Sequence, residues 1–251
     1  MNKIRKAYKK ANEYENQIYI SKLIFQLTNS KVVSIKAKNI VKEIIKYIVL
    51  MDLYYETKDI DFKKEYAFQK YKIINKLTPS QTKTFNMLNS KIVIPFWKYE
   101  EGLRFKIKRN HPFSKKEIIK SIIKRSEDSI IYGKMASFYC KIDRDFLRIL
   151  HLRQAIEDIY DCVWDYEEDY MKEPNLITLF LLNKKIPIEL HPKTNKKMMH
   201  FIKKMKINKE LYKISLNFFK KGNNLLKKKK SEILRNELIK ILKKTKEVLD
   251  L

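Results

Sequence analysis

Apolar side chains recur three and four positions apart along most of the chain, the period that places them on one face of a helix. That rhythm predicts helices over 2–28 and 34–58, separated by "NSK", and a third from about Phe62 to Leu77, ending before Pro79. A short helix is expected after Ser80. The rhythm then lapses through "IVIPFWKYEEGLRFKIKRNHPF", where Pro95, Gly102 and Pro112 predict a loop-rich connection. Ser114 followed by Glu117 is a capping-box pattern and starts a helix at Lys115. Further helices are expected over 126–141, over 143–172 with Pro174 as the stop, and over 175–184. Beyond a break at "IPIELHP" come two or three basic amphipathic helices, with the last break at Gly222.

Composition sharpens this into a fold class. Only 3 Gly and 6 Pro interrupt 251 residues, and no alternating stretch is closed by an Asn-Gly or Asp-Gly turn, so the expectation is all-α. Hydrophobic residues at 44% supply a core for a single domain over 1–251, with 185–192 as the candidate hinge. The longest apolar run, "IIKYIVLMDLYY", is broken by Lys46 and Asp52 and is too short to span a bilayer. The N-terminal stretch is charged and lacks the apolar centre of a secretory leader. Cys140 and Cys162 are too few for a zinc cage, so a cytoplasmic location with both thiols reduced in the core is expected.

The formal net charge is +27. Lysines are scattered through every segment, as AT-rich coding bias would leave them, so the charge is read mainly as composition and no nucleic-acid partner is expected. The basic surface would still allow peripheral association with an anionic membrane. Against this background residues 157–169 hold seven acidic side chains and no basic one. On one helix, Asp158, Asp161, Asp165 and Asp169 form a stripe bordered by Glu157. Aligned like charges repel, which calls for a cation or basic partners. Hard oxygen ligands suit Mg2+. His151 upstream is read as structural. A second acidic helix is offered by Asp52, Glu56 and Asp59, at i, i+4 and i+7 in an apolar setting.

Gln154, Glu157, Asp158, Asp161 and Asp165 follow the order of the second aspartate-rich motif of the class I isoprenoid synthases, and the chain resembles that superfamily of prenyl diphosphate synthases, squalene and phytoene synthases and terpene cyclases. The alternative Asp-x-x-Glu-Asp form fits Asp165 to Asp169, so two registers stand. Asp52-Leu-Tyr-Tyr-Glu56 resembles the first motif, with Leu53 in place of its second Asp. "GKMASF", with Lys134, resembles the diphosphate-binding stretch, and Lys63 and Lys64 stand near the position of paired arginines.

The resemblance implies a helical bundle of the isoprenoid synthase type. Mg2+ would be held by Asp52, Glu56, Glu157, Asp158, Asp161 and Asp165. An allylic prenyl diphosphate would be bound with help from Lys134, Gln154, Arg104 and Arg109. Ionisation would then lead to cyclisation or prenyl transfer, with Asp52, Glu56, Asp158 and Asp161 as the catalytic acids. The rival expectation is a non-enzymatic basic helical protein that binds nucleic acid or an acidic partner, with "LLKKKKSEILRNELIKILKKTKEVLDL" as its arm. A metal-dependent nuclease or nucleotide hydrolase on helical acids is a third reading. The Glu-x-x-His pairs of di-iron bundles do not occur in the sequence.

Overall fold

The computed structural model describes residues 2–17, 31–170, 174–229 and 231–251; the part of the first expected helix beyond residue 17 lies outside them. The described residues are all-helical, with no strand. They form two compact units, Met1–Trp97 with Ile130–Leu147, and Lys98–Ser129 with Arg148–Leu251. The "IPIELHP" stretch lies inside the second unit.

The first unit begins with α1 (Asn2–Gln17), α2 (Lys31–Thr57), α3 (Ile60–Lys76) and α4 (Pro79–Leu88). Along α2, Ala37, Val41, Ile44, Ile45 and Leu50 are buried at helical spacing. Small Ala7 on α1 packs beside Leu50 and Phe62, with Tyr8, Tyr54 and Tyr66 around them. Tyr47 is buried and donates its hydroxyl hydrogen bond to Asn89 Oδ1 at 2.8 Å, so the one polar atom it brings inside is satisfied. α2 stops where Lys58 adopts a left-handed φ of 57°, and Asp59 then caps α3 by accepting from the Asp61 N–H at 2.9 Å. Asp59 therefore does not continue the α2 row of Asp52 and Glu56. It also forms an ion pair with Lys3.

The stretch expected to be a loop is helical. A π turn (Asn89–Val93) runs into α5 (Ile94–Lys108), the wide turn falling just before Pro95, the residue that would disturb a regular ladder. Trp97, Leu103 and Ile107 are buried on α5, and so is Glu100 on the same face. That single carboxylate hid the helical period. α6 (Lys115–Arg125) starts at the expected capping box, with Ser114 Oγ accepting from the Glu117 N–H at 3.2 Å and Glu117 accepting from the Ser114 N–H at 2.9 Å.

α7 (Asp128–Ala136) is shorter than expected, and α8 (Arg144–Trp164) ends eight residues before Lys172. Asp165 lies at the turn into the one-turn helix α9 (Tyr166–Asp169). α10 (Leu176–Asn183) is buried on every side from Leu176 to Leu182, as a central helix must be. A 3-10 turn (Ile188–Leu190) leads to α11 (Asn195–Lys204), α12 (Ile207–Lys229) and α13 (Glu232–Val248). Gly222 is no break: it lies within α12, where a Cβ would stand 2.9 Å from a Leu238 methyl. Nor is the basic tail a free arm, because α13 buries Leu234, Leu238, Ile241 and Thr245. No helix among the described residues is long and apolar enough to cross a membrane.

Candidate functional site

α8 brings Gln154, Glu157, Asp158 and Asp161 onto neighbouring turns within the second unit, as the sequence led one to expect. Their chemistry is set by what surrounds them. Both Glu157 oxygens accept from the Arg153 guanidinium one turn earlier, a bidentate pair, and Arg153 also reaches Glu237 at 3.8 Å. Asp158 Oδ1 accepts from Gln154 Nε2 at 3.0 Å, while Oδ2 is buried without a hydrogen-bond partner. Burial, with Asp128 and the neighbouring Asp161 and Glu157, pushes the Asp158 carboxyl well above the usual carboxylate range. Burial does the same at Asp161, to about 8, with Glu157 and Asp165 adding repulsion.

Of the remaining acids of the segment, Glu168 is exposed, while Glu167 and Asp169 have structural partners. Glu167 and Asn195 exchange hydrogen bonds of 3.1 Å, joining α9 to the start of α11. Asp169 accepts from Asn175 Nδ2 at 2.9 Å, and the same amide donates to the Cys162 carbonyl at 2.8 Å. Arg125, which sequence reasoning missed, sits near Asp158 and Asp169. It donates from Nε and Nη2 to the two oxygens of Glu100, at 3.2 and 3.1 Å, and from Nη2 to the Pro174 carbonyl. Burial opposes its charge, but Glu100 and the two aspartates hold it firmly protonated.

The other expected site residues are dispersed. Asp52 and Glu56 lie in the first unit, half-buried and already engaged in interactions. Lys134 is exposed on α7, also in the first unit. Arg104 sits on α5, not in a loop, and Arg109 lies just past its end with its guanidinium 3.9 Å from the Phe105 ring centroid. Among the described residues no three His, Cys, Asp or Glu side chains form a group able to hold a metal ion. His151 contacts the Ile123 carbonyl at 2.9 Å, a structural role, and Cys140 and Cys162 are buried free thiols.

A different constellation lies in the first unit. A hollow of about 440 Å³ is lined from three helices: Tyr8 and Asn12 of α1, Glu43 and Lys46 of α2, and Gln69, Lys72 and Lys76 of α3. The α3 residues fall at i, i+3 and i+7, so one helical face supplies them. Glu43 accepts from Gln69 Nε2 at 2.6 Å and from Lys76 at 3.3 Å, with Lys46 at 3.7 Å. Burial raises the Glu43 carboxyl, but these partners outweigh it and leave the group below its ordinary range. Beside the hollow, Phe68 and Tyr71 are 51% and 62% exposed, and the Lys72 ammonium lies 4.3 Å from the Phe68 ring centroid. Lys63 and Lys64 are exposed on the same helix. An alternation of Lys and aromatic residues over 63–72 was the available sequence signal. Comparison with protein-family models, curated proteins and solved structures returns no match.

Proposed function

We propose that the first unit binds single-stranded nucleic acid along the outer side of α3. The observation that carries this reading is the exposure of Phe68 and Tyr71, one turn apart, among Lys63, Lys64 and Lys72. Large aromatics left in water beside cations are the two components of a single-strand platform: rings stack on unpaired bases and ammonium groups neutralise phosphates. This departs from the expectation drawn from the acidic segment, whose carboxylates find most of their partners inside the second unit. The test is fluorescence anisotropy of a labelled oligonucleotide with the full chain. Replacing Phe68 and Tyr71 together by Ala weakens binding by about tenfold or more. Failure to bind any single strand at low salt overturns the reading.

A second reading, a Mg2+-dependent synthase acting on an allylic prenyl diphosphate, is favoured by Asp158 and Asp161. They stand one turn apart on α8, desolvated, with one Asp158 oxygen unpartnered. Magnesium is commonly held by one or two carboxylates with water and phosphate oxygens, which this pair would supply. The ion would neutralise charge on a departing diphosphate. Pyrophosphate release from geranyl, farnesyl or geranylgeranyl diphosphate, abolished by EDTA and by Asp161→Asn, supports it. Absence of turnover with all three removes it.

A further inference from the structure

The hollow behind Phe68 differs from the α3 surface in what it can accept. Three ammonium groups and one carboxylate line it, a surplus of two positive charges. Glu65, a further carboxylate among the described residues, is hydrogen-bonded by the Tyr8 hydroxyl at 2.5 Å. Gln69 is held against Glu43 by its side-chain amide and by a further 3.2 Å bond to the Glu43 carbonyl, so the polar floor of the hollow is fixed before any ligand arrives. Lys72 belongs to both places: it lines the hollow and its ammonium covers the face of Phe68. A group stacked on Phe68 is therefore one side chain away from the hollow.

We infer that the hollow takes the terminal phosphomonoester of a bound strand, with Lys46, Lys72 and Lys76 receiving the phosphate while the end base stacks on Phe68 in place of the Lys72 ammonium. This rests on the nucleic-acid reading of the same unit. An internal phosphodiester carries one negative charge and is flanked by chain on both sides. A terminal phosphomonoester carries about −1.5 to −2 near neutral pH and ends the chain, so it matches the surplus charge and can enter a recess. The volume is within the usual range for small-ligand sites. Glu43, Asn12 and Tyr8 add acceptors and donors for the 2′-hydroxyl of a ribose beside the phosphate.

The test compares oligonucleotides of one sequence carrying a 5′-phosphate, a 3′-phosphate or hydroxyls at both ends, each bound to the full chain. One phosphorylated end is expected to bind about fivefold tighter or more than the hydroxyl form at low salt. Lys72→Gln with Lys76→Gln, both at exposed positions, should abolish that preference while leaving weaker binding of the hydroxyl form and an unchanged melting temperature. Inorganic phosphate and a nucleoside monophosphate serve as competitors: competition by the monophosphate alone places the base in the recognition, and competition by both assigns it to phosphate. Equal affinity for all three oligonucleotides overturns the inference but leaves the proposed function standing. No binding of any of them overturns the function itself.

Discussion

The two units treat charge in opposite ways. In the first, Lys72 and Lys76 stand at the surface beside a hollow, where water shields each and the energetic cost of gathering them is small. In the second, half-buried Arg125, Asp158 and Asp169 gather near a buried Glu100, where a charge without a partner is expensive. The contrast teaches that density of charge in a sequence does not locate a binding site. Much of the acidic segment is paired within its own unit: Glu157 answers Arg153, Asp169 answers Asn175 and, at the surface, Glu167 answers Asn195. The lysine groups, diluted among 56 basic residues, are the ones left facing solvent.

Substitutions separate the two regimes. The largest effect is expected at Arg125: Arg125→Met strands Glu100, which is 3% exposed, and should cost about 3–5 kcal/mol of stability by denaturant unfolding. Oligonucleotide affinity measured on the still-folded fraction should not change. The converse change, Phe68→Ala with Tyr71→Ala, should weaken single-strand binding by about 1–3 kcal/mol per stacked base and shift stability by no more than about 0.5 kcal/mol. Removing one buried hydroxyl with Tyr47→Phe leaves Asn89 Oδ1 without its donor and should cost about 1 kcal/mol, measured the same way.

A different effect, read against pH, is expected at Asp161. Its folded carboxyl titrates near 8, above the ordinary range of an unfolded chain, so the folded state holds the proton more tightly. Its contribution is fully present below the unfolded pKa and falls as pH rises towards about 8. Asp161→Asn should flatten that decline, seen as a smaller difference in unfolding midpoint between pH 5 and pH 9. A decline of unchanged steepness would show that Asp161 is not desolvated.

Much of the fold was legible because apolar spacing survives any amount of lysine: α2, α3, α6, α10 and the capping box at Ser114 fall where the pattern put them. Helix ends were harder. With three glycines in the chain, left-handed C-terminal positions fall to Asn110 and to Lys58, Lys185 and Lys206, lysines that carry no stop signal in sequence. α5 was missed for the reverse reason, since a buried Glu100 interrupted its apolar row and Pro95 and Gly102 read as punctuation. Of the site, the placing of Gln154, Glu157, Asp158 and Asp161 on neighbouring turns of one helix was legible. Arg125 was not, because its partners come from residues 100, 158, 169 and 174, and only folding brings them together. The hollow was invisible for the same reason, drawing on three helices.

The central claim is that nucleic acid binds through the lysines and rings of α3. Its most direct test is the salt dependence of single-strand affinity for the full chain and for Lys63→Gln, Lys64→Gln, Lys72→Gln combined. The account predicts affinity that falls steeply with salt, and a log–log slope reduced by about 2 in the triple variant, as three lost phosphate contacts require. A slope unchanged by the triple substitution would contradict it.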